Sequence, residues 1–284
     1  MIGIQHAYKR LLGRDADPSG LNFYTRMIEK GKTLEYVESN IRMSDEYKSK
    51  PLINVFMLAR DNSGSLPQTL NGLRDIELSF SQFNFAYYIL ENDSTDETPI
   101  LLRVFYTKEH TAGRLCCEIN KANKWGAVRD FGRVSDMANY RNQCKAMCRN
   151  WDNSEFSLLI DTGVTFTLKT FKTLIDTLHN DKDIAMATPY GHLKNNPGHY
   201  YDTYAWSCNK HKTPPKQRSM MQSMISVDSA FAGFVLVRTK ALRASSWKAT
   251  NKECSEHNYF CQHVRKFGKI VMCRDANVYW SQKD

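Results

Sequence analysis

The sequence predicts an α/β protein with a mainly parallel sheet flanked by helices, preceded by a small module that is entirely helical. Two observations support this prediction. Before Pro51 apolar residues recur only at helical spacing, and after Pro51 short apolar runs alternate with helical segments. Strands separated by helices of this length are typical of a parallel sheet covered on both faces. We therefore divide the chain into a helical module, residues 1-50, and a sheet domain, residues 51-284.

The helical module shows its pattern from its first turns. The first predicted helix places apolar residues at helical spacing: Ala7, Tyr8, Leu11 and Leu12. A turn at 15–20 interrupts the pattern, which resumes and then stops at Gly31. Thr33 and Ser44 can each cap a following helix, because their hydroxyls accept hydrogen bonds from first-turn amides.

The turn in this module has the spacing of a calcium-binding loop at Asp15, Asp17 and Ser19. Position twelve of such a loop must be a bidentate Glu, and here it is Arg26, which excludes an EF-hand. The stretch LLGRDADPSGLNFYTRMIEKGKTLEYVESNIRMSDEY instead resembles the helical DUF4214 domain, a repeat found in bacterial surface and glycan-related proteins.

Three strands and three helices are predicted next, in alternation. The runs LINVFMLA, FNFAYYILEN and FSLLID read as buried strands. The helices are SLPQTLNGLRDI, with Ser65 as N-cap and Pro67 in its first turn, then TDETPILLRVFYTKE, and then Met137–Asn150. In the third helix one side carries Ala138, Cys144, Met147 and Cys148.

Composition narrows the classes of function. The chain is 42% hydrophobic and 12% aromatic, which is enough for a packed core. Its net charge of +9 suits an anionic ligand, a nucleic acid or a membrane surface. The Lys and Arg residues are dispersed, however, and no basic stripe interleaved with aromatic residues occurs. Most of the charge is therefore interpreted as solvated surface, and no nucleic-acid partner is predicted.

Cysteine usage and hydropathy indicate a soluble, cytoplasmic protein. The eight cysteines form no CxxC pair, so neither a zinc site nor a disulfide framework is implied. No apolar run reaches the roughly eighteen residues that cross a bilayer, so no integral membrane segment is predicted.

Polar residues follow each of the three predicted strands. These strand ends are 59–62, 91–96 and 161–164. Each has an ordinary explanation by itself: a helix N-cap at 93–96, a surface charge at Arg60, and a turn at Asp161. In an open α/β sheet, ligands bind beyond the carboxyl ends of the strands. Together the three ends therefore predict a ligand-binding crevice.

Several segments resemble glycosyltransferases of the GT-A fold, and most closely the fungal capsule-associated α-1,3-mannosyltransferases (glycosyltransferase family 69). YILENDSTDETPILL resembles the family's second-strand motif, MANYRNQCKAM its Arg-Asn helix, and GHYYDTYAWS its Tyr-Asp-Thr motif. SAFAGFVLVRTKAL and CSEHNYFCQHVRKFGKIVMCRDANVYW are similar to its acceptor-side segment and its Ser-Glu motif. The motifs occur in the family's order between Leu52 and Trp280.

The resemblance implies a set of residues that bind the donor. A nucleotide pocket would be formed by Ala59, Arg60, Asp61, Glu91, Asp93 and Asp96. Arg141 and Asn142 would approach the diphosphate or the sugar, and a planar guanidinium suits two phosphate oxygens at once. The ordinary alternative for Arg141 is an exposed helix charge.

Asp161 falls where the family has its acidic metal-binding motif, which implies Mn²⁺ or Mg²⁺ as a cofactor. The sequence departs from the motif at Gly163, where a second acid is common. The late His of many such sites is also missing at VYWSQ. A single carboxylate can still hold a metal together with the diphosphate and waters.

Asp202, Glu256 and His257 are the candidate catalytic residues that the resemblance implies. Glu256 could accept the proton of an acceptor hydroxyl or position that hydroxyl. The alternatives are a first-turn helix acid for Glu256 and an ordinary core or surface histidine for His257. Gly233 would let the backbone approach a ligand, or be a turn glycine.

Trp206 and Trp247 could stack on sugar rings or belong to the core. The resemblance as a whole implies a glycosyltransferase that moves a sugar, mannose in this family, from a GDP- or UDP-sugar to a glycan hydroxyl with retention. The competing hypotheses are an inactive domain that binds sugar nucleotides or glycans, and a basic nucleic-acid-binding protein.

Overall fold

The computed structural model describes residues 2–109, 113–118, 129–193, 195–209, 212–251 and 253–280. Four helices come first: α1 (Ile2–Leu12), α2 (Pro18–Glu29), α3 (Leu34–Met43) and α4 (Asp45–Lys48). They pack around an apolar cluster of their own, which contains Ile4, Ala7, Tyr8, Leu11, Val37 and Ile41. Two hydrogen bonds tie the ends of these helices to neighbouring segments, from Lys50 Nζ to the Leu11 carbonyl at 2.7 Å and from Asn84 Nδ2 to the Tyr47 carbonyl at 2.6 Å.

The acidic turn before α2 is a helix cap. Asp17 Oδ1 accepts hydrogen bonds from the Gly20 amide at 2.8 Å and from Ser19 Oγ at 2.5 Å. The side chains of Thr33 and Ser44 cap α3 and α4 in the same way, as the sequence predicts. The calcium-like spacing thus reflects the start of a helix.

The described residues contain one sheet of nine strands. The strands are β1 (Leu52–Ala59), β2 (Asn84–Asn92), β3 (Gly113–Glu118), β4 (Ser154–Asp161), β5 (Val164–Phe166), β6 (Ile184–Leu193), β7 (Met224–Val227), β8 (Phe234–Arg238) and β9 (Lys269–Trp280). Their order is β3-β2-β1-β4-β8-β6-β9-β5, and β7 pairs with β9. The pairs β1–β2, β1–β4, β2–β3 and β6–β9 are parallel, and β8 runs antiparallel to β4 and β6.

Helices cover both faces of the sheet. They are α5 (Leu66–Ser79), α6 (Thr98–Glu109), α7 (Phe131–Ala146), α8 (Leu168–Asn180), α9 (Thr239–Ala244) and α10 (Glu256–Val264). The helix α7 packs against β1 and β2, while α8 packs against β6 and β9. The predicted α/β architecture is therefore confirmed. Among the described residues, no helix combines the length and the apolar character that crossing a membrane requires.

The third predicted helix begins six residues earlier than expected. Asp130 is its N-cap and accepts a hydrogen bond from the Gly132 amide at 2.8 Å. Ala138 and Cys144 lie on its buried face, and Cys144 Sγ contacts the Tyr88 carbonyl at 3.2 Å. The expected one-sided packing of this helix is thus observed.

A strained turn precedes β8 and joins it to the end of β4. Ala232 and Gly233 both have left-handed backbones, with φ of 58° and 69°. The Asp161 amide donates to the Gly233 carbonyl at 2.9 Å. A Cβ at Gly233 would lie 2.8 Å from Val164 Cγ2 and 2.9 Å from Trp280 Cζ2. Only glycine fits this position, both for its backbone and for its neighbours.

We expect Gly233→Ala to destabilise the protein by more than the roughly 1–2 kcal/mol that a left-handed L-residue costs. The excess arises because the new methyl group meets Val164 and Trp280. Gly198→Ala is the matched control, since Gly198 has a φ of 86° and no neighbour within 4 Å of an added Cβ. Urea denaturation of both variants measures the difference. Equal losses for the two variants would contradict the packing argument.

Candidate active site

A cavity of about 680 Å³ lies at the carboxyl ends of β1, β2 and β4. Its size is in the range of small-molecule sites, which is roughly 300–1,000 Å³. The predicted residues that line it are Ala59, Arg60, Arg141, Asp161, Asp202, Glu256 and His257. The structure therefore brings together one part of the predicted set, contributed by the ends of β1 and β4, by α7, by the segment after β6 and by α10.

Arg141 lies at the centre of the cavity, between two carboxylates. Its Nη2 donates to Asp161 Oδ2 at 3.1 Å, and its Nη1 lies 2.9 Å from Asp161 Oδ1. Its Nε donates to Glu256 Oε1 at 3.1 Å. The guanidinium carbon lies 4.9 Å from the centroid of the Phe231 ring. One buried cation thus connects the end of β4, the helix α7 and the start of α10.

The position of Arg141 follows from the pattern of α7. The buried face of this helix carries Val134, Ala138, Arg141 and Cys144, at helical spacing. Only 7% of the Arg141 side chain is exposed. Burial alone would lower the pKa of Arg141, but the charges of Asp161 and Glu256 outweigh it and raise that pKa. Arg141 is therefore a buried, permanently charged group.

Glu256 and His257 occupy the first turn of α10, which Ser255 caps. The His257 ring stacks on Phe231, with a centroid distance of 3.7 Å and an interplanar angle of 17°. Burial, and then the charge of Arg141, lower the pKa of His257 well below its usual value, so the imidazole is neutral at pH 7.

The two ring nitrogens of His257 have different partners. Trp247 Nε1 donates to His257 Nδ1 at 3.4 Å, which leaves the proton on Nε2. His257 Nε2 lies 3.3 Å from Glu256 Oε1. In this tautomer the protonated Nε2 of His257 faces the Glu256 carboxylate. His257 can therefore orient Glu256 without itself transferring a proton.

Asp202 enters the cavity from the segment that follows β6. Its Oδ2 accepts a hydrogen bond from the Ala232 amide at 2.9 Å, in the strained turn before β8. Burial raises the pKa of Asp202 to about 6, and the charges of Asp161 and Glu256 contribute in the same direction. Asp202 is thus a carboxylate that can take up a proton near neutral pH.

Four predicted nucleotide-binding acids do not line the cavity: Asp61, Glu91, Asp93 and Asp96. Three of them brace the loops instead. Asp61 Oδ1 accepts from the Thr95 amide at 2.8 Å, and Asp96 Oδ2 accepts from the Ser63 amide at 2.8 Å. Glu91 Oε1 accepts from the Ser94 amide at 2.9 Å. Asp93 follows β2 with a left-handed backbone, φ 52°. Short polar side chains favour such local bonds to backbone amides.

Asn142 also has a different position from the expected one. Its Nδ2 donates to the Trp247 carbonyl at 2.8 Å, and the Trp247 amide donates to its Oδ1 at 3.0 Å. Asn142 therefore fixes the chain before α10 and does not face the cavity.

Trp247 stacks on Phe260 at 4.3 Å, and Trp206 is 8% exposed. Both tryptophans belong to the core, the alternative that the sequence left open.

The cavity contains residues that the sequence did not single out. They are Asn62, Asn92, Arg129, Arg133, Asp136, Tyr140, Tyr201, Tyr204 and Trp280. Asn92 is 5% exposed, and within the described part of the chain its side-chain oxygen and nitrogen have no hydrogen-bond partner. The guanidinium of Arg129 lies 5.3 Å from the centroid of the Tyr204 ring. Helical spacing back from Arg141 to Arg133 would have indicated that both arginines lie on one face.

The donor set around Asp161 does not fit a preformed divalent-metal site. Asp161 lies in the fork of the Arg141 guanidinium, and among the described residues no group of three or more His, Cys, Asp or Glu could hold a metal. Gly163 has a φ of 86°, so an acid at this position would be strained. The second carboxylate of the familiar motif is therefore absent from this sequence, and the left-handed backbone favours glycine at its position.

The fold and the position of the cavity define a GT-A fold, in which the sheet presents a ligand crevice at its strand ends. A fragment of S. aureus TarS (1-349) superposes with a TM-score of 0.51 at 13% identity, over 81% of this chain and 60% of that one. The same fragment in complex with UDP gives 0.53 at 13%, over 80% and 59%. The mannosyltransferase PcManGT from Pyrobaculum calidifontis, in complex with GDP-Man and Mn²⁺, gives 0.54 at 11%, over 83% and 58%.

These similarities concern the fold, because the identities are low. The chain spans about three-fifths of the length of these solved structures. No family model matches the chain, and no curated protein is significantly similar to it. The resemblance to glycosyltransferase family 69 and to the DUF4214 domain therefore stays a prediction.

We expect Asn142→Ala to lower the free energy of unfolding by about 1–3 kcal/mol, because two backbone groups of Trp247 lose their partner. Asn92→Ala is the comparison, since the Asn92 amide has no hydrogen bond to lose. Chemical denaturation of both variants measures the two losses. The assignment of Asn142 as a structural clamp is wrong if Asn92→Ala proves the more destabilising change.

Proposed function

We propose that the chain is a glycosyltransferase that moves a sugar from a nucleotide-sugar donor to a hydroxyl group of a glycan or glycoconjugate. The observation that carries this proposal is the buried Arg141, held between Asp161 and Glu256 in a cavity at the strand ends. A guanidinium that lines a cavity suits an anionic ligand, and the diphosphate of a sugar nucleotide is such an anion.

The donor is proposed to lie across the three strand ends. Ala59 and Asn92 line the cavity at the ends of β1 and β2, where the amide of Asn92 can donate to and accept from a base edge or a ribose. Arg60 and Arg141, which both line the cavity, would donate hydrogen bonds to phosphate oxygens. The three acids that brace the loops, Asp61, Glu91 and Asp96, support this arrangement from outside the cavity.

The acceptor is proposed to enter beside Asp202. In the transfer step an acceptor oxygen bonds to the anomeric carbon of the donor, and the bond from that carbon to the diphosphate breaks. The acceptor proton moves to the Asp202 carboxylate, or to a phosphate oxygen when attack occurs on the face that the diphosphate leaves. This second route corresponds to the retention that the sequence resemblance implies.

Mannose is the first donor sugar to test, as GDP-mannose. Its support is the sequence resemblance and the fold shared with PcManGT, whose structure contains GDP-Man and Mn²⁺. UDP-sugars come next, since TarS binds UDP in the same fold. Glycan acceptors follow once the donor is known. Because the donor set around Asp161 does not fit a preformed metal site, the proposed steps use only residues of the chain.

A second candidate is a domain that binds the donor without transferring the sugar. One observation favours it. Arg141 forms ion pairs with both Asp161 and Glu256, so the negative charge of each acid is already neutralised by the arginine. Release of nucleoside diphosphate from a sugar nucleotide separates the two. Slow release that Asp202→Asn abolishes supports the transferase, and binding with no release supports the second candidate.

A thermal-shift screen of GDP-mannose, UDP-sugars and other sugar nucleotides tests the donor. A ligand at 100 times its Kd stabilises the native state by about 2.7 kcal/mol, so the donor should raise the Tm by several degrees. Asn92→Ala should weaken donor binding about tenfold or more while leaving the Tm without ligand close to that of the wild type. If no sugar nucleotide raises the Tm, the proposed function is wrong.

The rate of transfer or donor hydrolysis should fall as the pH drops through about 6. Burial raises the pKa of Asp202 to about 6, and the protonated carboxyl group can no longer accept a proton. Asp202→Asn should lower the rate at neutral pH and remove this acid limb, while the amide oxygen still accepts the Ala232 N–H. A pH–rate profile of the wild type and of Asp202→Asn tests whether Asp202 accounts for the acid limb. An acid limb that survives unchanged in Asp202→Asn rules out this assignment.

A further inference from the structure

We propose that Arg141, and not a divalent cation, supplies the positive charge that binds the donor diphosphate, and that Asp161 is a positioning residue for Arg141. This inference rests on the proposed function, because it names the group that binds the donor at the same site. It differs from the expectation for the fold, in which the acid at this strand end binds a metal.

The first argument is the geometry of Asp161. Both of its carboxylate oxygens face the guanidinium of Arg141, at 2.9 and 3.1 Å. Only 18% of the Asp161 side chain is exposed. Oδ2 accepts a hydrogen bond from Arg141, while Oδ1 lies 2.9 Å from the guanidinium as an ion pair without a hydrogen bond. A metal at Asp161 would compete with this guanidinium, and a metal that displaced it would leave Arg141 buried with Glu256 alone. Removing one partner from a buried ion pair is strongly unfavourable.

The second argument is the supply of other ligands. Glu256 Oε1 is shared by Arg141 and His257, and Asp202 Oδ2 is bound by the Ala232 amide. Gly163, where a second acid is common, carries no side chain and has a left-handed backbone that favours glycine. Among the described residues, four arginines and four carboxylates line the cavity, so its formal charge is balanced without a metal.

The third argument is that Arg141 has donors left over. A guanidinium carries five N–H groups, and Asp161 and Glu256 engage no more than three of them. The remaining two belong to Nη1 and Nη2, which are the outer nitrogens of a side chain that lines the cavity. These two N–H groups point to opposite sides of the guanidinium, so each can donate to a separate phosphate oxygen, and the contact with Asp161 keeps the plane of the group fixed.

The direct test is calorimetric titration of GDP and UDP into the wild-type protein, once with EDTA and once with Mn²⁺. We expect the Kd of the nucleotide that binds to change less than threefold between the two conditions. Electron paramagnetic resonance of Mn²⁺ should show no bound ion beyond that held by the nucleotide itself. Binding that is tenfold or more tighter with Mn²⁺ overturns the inference and leaves the proposed function standing. The absence of binding in both conditions instead refutes the proposed function.

A double-mutant cycle tests whether Asp161 acts through Arg141. Asp161→Asn should weaken nucleotide binding about tenfold in the wild-type background and have little further effect in Arg141→Gln. Independent, additive losses would contradict a positioning role. Arg141→Lys keeps the charge, so it should bind the nucleotide better than Arg141→Gln, again without dependence on metal.

Thermal melting identifies variants that fail to fold. Because the comparison of EDTA with Mn²⁺ uses the wild-type protein, the inference can be refuted even if every variant is unstable.

Discussion

The ion-paired arrangement around Arg141 is the constraint on which the site depends. Asp161 and Glu256 are 95 positions apart in the sequence, and their carboxylates would repel each other inside the protein without a cation between them. The guanidinium of Arg141 lies between them and also over the Phe231 ring. These contacts fix the end of β4, the helix α7 and the start of α10 relative to one another. Since breaking such a buried pair is costly, the geometry exists before any ligand binds.

A second network, made of hydrogen bonds, joins the loops that follow β1 and β2. The loops after β1 and β2 carry acids whose oxygens accept backbone amides of the neighbouring loop, as in the bonds from Thr95 to Asp61 and from Ser63 to Asp96. Burial would raise the pKa of Asp96, but hydrogen bonds from Thr98 and Ser63 outweigh it and lower that pKa. The Asp96 carboxylate therefore stays ionised. The bonds of Asp61 and Asp96 hold the two loops together outside the cavity, which Asn92 and Arg60 line.

The sequence predicted the sheet well because its signal is local. Apolar runs such as LINVFMLA and FSLLID define the central strands, and parallel pairing then brings their ends together. The roles of individual polar residues depend on partners far away in the chain. By its motif Asn142 is expected to contact a ligand. In the structure its amide nitrogen and oxygen both bond to the backbone of Trp247, 105 positions later in the chain. Asn92 belongs to the predicted strand end 91–96, but the resemblance assigned nucleotide binding to its acidic neighbours Glu91 and Asp93.

The same distinction explains the mismatch at the acidic motif. A motif describes residue types, whereas metal binding also depends on the charges beside the acid, and here Asp161 is ion-paired with Arg141. The turn from β4 to β5 passes through Gly163 in a left-handed conformation, and an added Cβ there would lie 3.3 Å from Ser65 Oγ. The tight turn that places Asp161 against Arg141 is thus the turn that disfavours a second acid. The end of β4 then carries one acid that is paired with a buried guanidinium, and this guanidinium suits an anionic ligand.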